Sequence, residues 1–426
     1  METPAEIKPE RRGCLRAFKV GCLGISGLFL LFTMAGTAWF FYMTREVTVH
    51  DEDLIYVPTP VPEEENGYYI LQPVLQNIKS NNVALSAFEL TNGIPSEEGL
   101  AAFPAFAEKH PEFLPAFYAA GQCRHYQVPF DVTIPLLEQS LNPPLGIYSV
   151  SRYSLCHIEM LIRDGKQEEA LQCLKAHMQL GQLLMKDAHV LVAGMFGRAV
   201  AENACDLLSH HLSQGTFQKT NKPAIQSVLS AVPVNSDYLQ MVRAEYSTMK
   251  GVLASAVTNI PPQVPSQLRR YVFNESLTLK QTEHYYRAMV DSFSNPDISE
   301  PAIKKRAEPS RGEVCRRLLT GNVVGDLLYY IGMPSIKNAG WDILNLKAKK
   351  GLIEVYLALW NYYDEHGTLP TDLELLVPAY LSELPRDPFG KESSFKYDCR
   401  ERTISSTGGG LSNDRSSLKI NLGFVK

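Results

Sequence analysis

Residues 20–43 form an unbroken run of uncharged, mostly apolar side chains, VGCLGISGLFLLFTMAGTAWFFYM. A helix needs about 20 such residues to cross the apolar core of a bilayer, where no water satisfies the backbone polar groups. We therefore expect a single transmembrane helix over Val20–Met43, with the lipid bilayer as a partner of the chain. A cleaved signal peptide that ends near residues 36–38 (Gly-Thr-Ala) and a buried helix of a soluble protein are the alternatives.

The charges on the two sides of this run differ. Four basic residues lie shortly before it, at positions 11, 12, 16 and 19, whereas Arg45 is the only lysine or arginine between it and Lys79. Positive charge is retained on the cytoplasmic side of a membrane, and aromatic residues such as Trp39–Tyr42 gather at the interface. We therefore expect residues 1–19 to be cytoplasmic and the bulk of the chain to be extracytoplasmic.

The rest of the composition is that of a globular protein. The chain has 426 residues and a formal net charge of −5, and no basic stripe indicates a nucleic-acid partner. Eight cysteines occur without a C-x-x-C pair, so zinc ribbons and thioredoxin-like motifs are not indicated. Cys156 and Cys173 lie at similar heights on either side of Gly165, so they are expected either to form a disulfide or to remain buried thiols.

Two further segments precede the C-terminal region. Residues 44–66 contain alternate prolines and three successive glutamates, a pattern that favours an extended, solvated stalk. Residues 67–345 carry helical stripes separated by proline loops, most clearly over 150–208, and predict an antiparallel helical array. The segment DGKQEEALQCL resembles the turn between the two helices of a tetratricopeptide repeat, although no second copy follows.

Residues 346–426 predict a small α+β module. A helical stripe of apolar residues ends at Gly367, and Thr371 to Glu374 match a capping box, in which the threonine caps the next helix. Three short apolar runs, over 393–397, 402–406 and 417–425, follow between glycine-rich and Asn-Asp segments. These runs predict a small antiparallel sheet.

The motif Leu-Pro-Arg-Asp-Pro-Phe-Gly at residues 384–390 joins this helical stripe to the sheet. Two prolines bracket Asp387, which suits a tight turn whose aspartate accepts a backbone N–H. We expect Phe389 then to pack onto the stripe that contains Leu352, Tyr356 and Leu359. The motif therefore predicts a structural staple.

The stretch VYLALWNYYDEHGTLPTDLELLVPAYLSELPRDPFGKESSFKYDC resembles the C-terminal half of the major pseudopilin of type II secretion. In that family a helix, a Gly-x-x-Pro turn and Leu-Pro-x-Asp-Pro-Trp-Gly precede a strand. The whole chain also resembles membrane-anchored bacterial proteins of unknown function with helical middle regions, of planctomycete-like and verrucomicrobial-like groups. The resemblance implies a pseudopilin-like fold over about 80 residues and a place in the bacterial inner membrane, with the bulk in the periplasm.

Two features depart from the pseudopilin pattern. Residues 20–43 contain no glutamate, which a pilin carries near the start of its mature helix. The final loop, where pseudopilins bind calcium, offers only Asn413 and Asp414 as acidic or amide ligands, whereas calcium takes about six to eight oxygens. These two residues are the candidate metal ligands, and no cofactor is expected.

Ser247-Thr248-Met249-Lys250 is the sharpest enzyme-like string in the chain. A lysine three residues after a serine on a helix is placed to accept the hydroxyl proton, as in penicillin-binding enzymes. The Ser-x-Asn and Lys-Thr-Gly motifs of those enzymes do not follow. This string has two interpretations. In one, Ser247 is the nucleophile and Lys250 the base of a serine hydrolase. In the other, the string is a chance match on a helix.

The sequence thus predicts a mainly α-helical extracytoplasmic array with one transmembrane helix and a small C-terminal α+β module. The leading hypothesis is an anchored scaffold or interaction protein of a bacterial envelope, with protein partners, because no complete catalytic set is present. An anchored serine hydrolase that uses Ser247 and Lys250 is one alternative. An accessory component of a type II secretion-like system is another.

Overall fold

The computed structural model describes residues 28–80, 88–129, 142–233, 235–258, 263–294, 321–389, 394–406 and 418–425. These residues are mainly helical, as predicted. Residues 28–44 form α1. The other α-helices are Gly67–Ser80 (α2), Glu97–Lys109 (α3), Phe113–Gln122 (α4), Asn142–Arg163 (α5), Gln167–Lys186 (α6), Leu191–Ser213 (α7), Lys222–Leu229 (α8), Asn235–Thr258 (α9), Ser266–Val272 (α10), Glu275–Ser294 (α11) and Val323–His366 (α12).

Two small antiparallel sheets accompany the helices. Strands Leu90–Thr91 (β1) and Ile94–Pro95 (β2) form a hairpin around Asn92-Gly93. Strands Lys396–Asp398 (β3), Thr403–Ser405 (β4) and Lys419–Asn421 (β5) form a sheet in the order β3-β4-β5, in which Ile404 of β4 lies opposite Ile420 of β5. Both isoleucines are buried. The second sheet confirms the antiparallel sheet predicted near the C-terminus.

The described residues belong to two compact units. The first takes its residues from Met1–His50, Leu253–Gln281 and Ala307–Tyr330. The second takes its residues from Asp51–Val252, Thr282–Arg306 and Ile331–Lys426.

The hairpin of α5 and α6 in the second unit follows directly from its sequence. Gly165 has a φ of +78° and lies just after α5. The N–H groups of Gly165 and Lys166 donate to the carbonyl oxygens of Ile162 and Leu161 at 3.0 and 2.9 Å. This pair of bonds is a Schellman motif, which favours glycine because the left-handed conformation is strained for other residues. The turn between two helices that the segment DGKQEEALQCL resembles is thus present at residues 164–166.

The second unit contains two large hydrophobic clusters. The main core joins α5–α8 and α12 to the C-terminal sheet, and its members include Leu155, Leu174, Leu208, Leu359 and Ile420. The aromatic core joins α2–α6, and it is rich in phenylalanine and tyrosine. There the rings of Phe106 and Tyr153 stack with centroids 3.7 Å apart.

The two cysteines of the α5–α6 hairpin face different cores. Cys156 is buried in the aromatic core, whereas Cys173 packs against the main core, and both are free thiols. The disulfide alternative is therefore wrong. Equal height along two helices does not bring side chains together when helical rotation turns them to different sides.

Residues 51–66 differ from the predicted stalk. Leu54 is 1% exposed, and the Tyr56 N–H donates to Ser247 Oγ at 2.8 Å. A second contact lies further along the same segment, where Gln127 Nε2 donates to the carbonyl oxygen of Thr59 at 2.9 Å. The prolines do favour extended backbone, but one apolar side chain and several backbone groups find partners in the second unit.

The predicted boundary between residues 345 and 346 lies inside α12. Leu352, Tyr356 and Leu359 of α12 belong to the main core together with residues of α5–α8. Tyr356 Oη also donates to the carbonyl oxygen of Leu212, at the end of α7, at 2.7 Å. The C-terminal sheet and its helix therefore share one core with the helical array.

The turn predicted around Asp387 is present. The helix cap predicted at Thr371 lies instead at the next residue, Asp372. Asp387 is 1% exposed, and its Oδ1 accepts hydrogen bonds from the Phe389 N–H at 3.1 Å and from Ser406 Oγ at 2.7 Å. Phe389 is half-buried and packs against the main core, which contains the predicted stripe. The 3-10 helix Leu373–Leu376 is capped by Asp372, not by Thr371, because the Asp372 carboxylate accepts from the Glu374 N–H.

The first unit contains α1, the C-terminal part of the predicted transmembrane segment. Its large apolar side chains are exposed, for example Leu31 at 66% and Phe32 at 72%. Among the described residues, no helix combines the length and the hydropathy needed to cross a membrane. Residues 20–27 of the predicted segment lie outside the described residues.

Candidate functional site

The structure gives Ser247 and Lys250 separate partners in residues 51–56. Ser247 Oγ accepts the hydrogen bond from Tyr56 N, and Lys250 Nζ donates to Asp51 Oδ2 at 2.8 Å. Within the described parts of the chain no hydrogen bond joins the serine to the lysine. The ammonium is engaged with a carboxylate, so this arrangement does not present a lysine that accepts the serine proton.

Asp51 gains its partners from α9. Its Oδ2 also accepts a hydrogen bond from the Tyr246 hydroxyl at 2.6 Å. Burial raises the pKa of Asp51, but the hydrogen bonds from Lys250 and Tyr246 outweigh it and lower the pKa overall. The Ser-x-x-Lys string thus lies where α9 holds residues 51–56 in place, which is a structural role.

The candidate metal ligands Asn413 and Asp414 lie outside the described residues. Across the described ranges, no group of three or more histidine, cysteine, aspartate or glutamate side chains is placed to hold a metal ion.

A cavity of about 430 Å³ in the second unit is lined mostly by polar and charged residues. The β1–β2 hairpin, α5 and α7 form its walls. It is lined by Glu89, Leu90, Asn92, Gly93, Tyr148, Arg152, Glu202, Asn203 and Asp206. We call it the Arg152 pocket.

The two acidic residues of α7 in this pocket are already paired. Lys349 Nζ donates to Glu202 Oε1 at 2.9 Å and also contacts the Asp206 carboxylate, while Arg198 pairs with Glu202. Burial lowers the pKa of Lys349, but the carboxylates of Glu202 and Asp206 outweigh it, so the pKa is raised. The side chain of Lys349 therefore stays positively charged, and this charge neutralises one of the two α7 carboxylates.

Arg152 of α5, which also lines the pocket, makes only weak hydrogen bonds. Its Nη1 and Nη2 atoms make only long hydrogen bonds, to the Phe88 carbonyl oxygen at 3.5 Å and to Tyr148 Oη at 3.4 Å. Its Nε is buried without a hydrogen-bond partner, and among the described residues no carboxylate forms an ion pair with it. The guanidinium lies 5.2 Å from the centroid of the Tyr148 ring, which holds its position.

This arrangement is suited to binding an anionic group. A guanidinium takes a carboxylate or a phosphate through two parallel hydrogen bonds, and a buried donor without a partner costs free energy that such a ligand recovers. The residues that line the Arg152 pocket include no serine, cysteine or histidine that would serve as a nucleophile. Glu89 also lines the pocket and is exposed.

Sequence reasoning did not find this site. The Asn92-Gly93 pair between β-prone residues is a hairpin signal, but nothing in the spacing of Arg152, Glu202 and Lys349 indicates that they meet. Two histidines of the second unit, His177 and His211, are buried as well. His211 Nε2 lies 2.7 Å from Glu159 Oε2, and His177 is buried against Ser154 and the carbonyl oxygen of Val200.

Comparison of the chain with family models, with curated proteins and with solved structures finds no match in any of the three. The function proposed below therefore depends on the geometry and the sequence of this chain alone.

Proposed function

We propose that the chain is a membrane-anchored extracytoplasmic interaction protein, which holds a binding module at the surface of a bacterial inner membrane. The observation that carries this proposal is the exposed apolar surface of α1. Six of its first seven residues are large apolar side chains that are more than half exposed: Leu28, Phe29, Leu30, Leu31, Phe32 and Met34. A contiguous apolar surface of this kind marks a membrane or protein contact.

The uncharged sequence that precedes α1 favours the membrane over a protein partner. Residues 20–43 together provide about the length that a bilayer core requires. The basic residues at positions 11, 12, 16 and 19 favour an orientation in which the folded units are extracytoplasmic.

The Arg152 pocket is the site at which we propose that the module binds its partner. The ligand group is a carboxylate or a phosphate, because Arg152 offers donors that no side chain of the described residues satisfies fully. No serine, cysteine or histidine of the described residues lines the pocket, so we propose that it binds its ligand and does not cleave it by a serine- or cysteine-type mechanism.

Membrane extraction tests the anchor. The full chain is expected to stay with membranes in alkaline carbonate, and a variant in which Leu31 and Phe32 are both replaced by aspartate is expected to be released, because charges inside a bilayer are costly. Alkaline phosphatase fused after Lys426 is expected to be active, as it is only outside the cytoplasm. Release of the unaltered chain, or an inactive fusion, would contradict the proposal.

Arg152→Gln tests the pocket. Partners captured from solubilised membranes by the full chain are expected to be lost from this variant. Arg124→Gln is the matched control, because the Arg124 side chain is 79% exposed and lies outside the pocket. Equal loss from both variants, or from neither, would remove the pocket from the proposal.

A further inference from the structure

The short helix α10 lies beside the end of α1 in the first unit. Tyr271 of α10 stacks on Phe40 of α1, with ring centroids 5.4 Å apart. Asn274, two residues after α10, donates from Nδ2 to the carbonyl oxygens of Met43 and Arg45 at 2.6 and 2.9 Å. These contacts fix α10 next to the point at which the apolar helix ends.

The outer surface of α10 is apolar and basic. Leu268 is 51% exposed and Val272 is 43% exposed, and residues four apart share one face of a helix. Arg269 and Arg270 follow Leu268 directly. Exposed aliphatic side chains on one face and arginines beside them are typical of a helix that lies in the membrane interface.

A cavity of about 470 Å³ opens against α10 in the same unit. Its lining includes Glu46, Arg269, Arg270, Asn274 and Glu275. Arg270 pairs with Glu46, whereas Arg269 pairs with no carboxylate of the described residues. The Nε of Arg269 is buried without a hydrogen-bond partner.

We propose that α10 is a second membrane contact of this protein. Leu268 and Val272 enter the head-group region of the bilayer, and Arg269 donates to the phosphodiester of a phospholipid. This rests on the proposed function, since it requires α1 to lie in the bilayer. A phosphate oxygen supplies the acceptor that the Arg269 guanidinium lacks.

The charges of the cavity indicate which part of the lipid is recognised. Two arginines and two glutamates line it, so their formal charges cancel. The cavity therefore has no net attraction for anionic lipids, and the phosphodiester common to all phospholipids is the group that fits it. Phosphatidylcholine, which carries no net charge, is the probe that tests this contact without a general electrostatic effect.

Photo-crosslinking in phosphatidylcholine vesicles tests the contact on the full chain. The photoreactive residue p-benzoylphenylalanine is placed at Leu268, at Leu375 as a control of equal exposure in the second unit, or at Leu31 of α1 as the anchor control. Irradiation is expected to attach radiolabelled lipid at positions 268 and 31 and not at 375. Lipid at 31 but not at 268 overturns this proposal alone, whereas no lipid at 31 overturns the proposed anchor.

Arg269→Gln, combined with the probe at position 268, tests the phosphate contact. The yield of lipid adduct is expected to fall roughly five-fold, because the variant loses the charge-assisted hydrogen bond from the guanidinium to the phosphate oxygen. Arg124→Gln in the same background leaves the yield unchanged. Equal yields with and without the Arg269→Gln substitution overturn the phosphate contact, provided that far-ultraviolet circular dichroism shows the same helix content.

Discussion

At the scale of single residues, the buried carboxylate of Glu159 in the second unit has one partner on its own helix and one from a distant part of the sequence. Glu159 of α5 accepts from Arg163 Nε at 2.7 Å and lies 2.7 Å from His211 Nε2 of α7. Burial raises the pKa of Glu159, but the hydrogen bonds from His211 and Arg163 outweigh it and lower the pKa to about 2. The folded state thus favours the ionised carboxylate.

This shift predicts a loss of stability in acid. The folded-state pKa lies below the unfolded value, so the stabilisation is present above about pH 4.5 and is lost as the pH falls towards 2. Between pH 4.5 and 3 the chain is expected to lose about 1–2 kcal/mol more unfolding free energy than Glu159→Gln. The full linkage value is not expected, because the Arg163 side chain is 47% exposed and therefore screened.

Urea denaturation of both proteins at several pH values measures this difference. Glu169→Gln is the matched control, since it removes an exposed carboxylate at the start of α6 for which no hydrogen bond or ion pair is seen among the described residues. Parallel pH profiles for the chain and Glu159→Gln would contradict the prediction.

Asp387 predicts a second effect at this scale. Asp387→Ala removes a buried carboxylate that accepts hydrogen bonds from the Ser406 hydroxyl and the Phe389 N–H. We expect the unfolding free energy to fall by about 2–4 kcal/mol, because a hydrogen bond to a charged group contributes about 1.5–3 kcal/mol. Limited proteolysis should then cut after residue 384.

Asp398→Ala is the control for this prediction. Asp398 also accepts from two backbone N–H groups, of Arg400 and Glu401, but it is exposed. Water replaces those bonds, so the control is expected to lose less than about 1 kcal/mol. Equal losses in the two variants would show that burial of Asp387 is not the cause.

At the scale of elements, α6 and α7 pack closely because small residues lie at their crossing. Gly181 of α6 and Gly197 of α7 face each other where these helices cross. A Cβ atom added at Gly181 would lie 2.8 Å from the Gly197 carbonyl oxygen and 2.9 Å from the Ala201 backbone nitrogen. Both are backbone atoms, so the helices themselves must separate to admit it.

We therefore expect Gly181→Ala and Gly251→Ala to change the unfolding free energy in opposite directions. At Gly251 on α9 an added Cβ meets nothing within 4 Å, so alanine is expected to stabilise by about 0.5–1 kcal/mol through its higher helix propensity. Gly181→Ala is expected to lower the unfolding free energy by about 1–3 kcal/mol, the usual cost of overpacking. Thermal denaturation of the two variants measures both signs, and stabilisation by Gly181→Ala would contradict the crossing described here.

At the scale of the whole molecule, the main core joins the C-terminal sheet to the helical array of the second unit. Leu422 near the C-terminus and Leu155 of α5 are members of one cluster. We therefore expect residues 346–426 produced alone to show no cooperative unfolding transition, because the apolar faces of α12 and of the sheet would lose their partners. A cooperative transition, measured by urea denaturation of this fragment, would restore the independent module that the sequence predicts.

The limits of sequence reasoning follow from the same contacts. The α5–α6 turn, the antiparallel sheet and the Asp387 turn were predictable, because glycine, proline and alternating apolar residues act over a few positions. The cap at Asp372 was missed by one residue, since both Thr371 and Asp372 are good capping residues. The likeness to pseudopilins and the position of the chain in a membrane stay predictions.

The sequence by itself determined the local elements of this protein and the apolar character of residues 20–43, because these depend on neighbours along the chain. Only the tertiary structure decided the rest. It paired Lys250 with Asp51 and turned Cys156 and Cys173 to different cores. It also brought Arg152, Glu202 and Asp206 around one pocket. Those contacts join residues about 50 to 200 positions apart. They depend on how the helices pack against one another, which no local sequence pattern encodes.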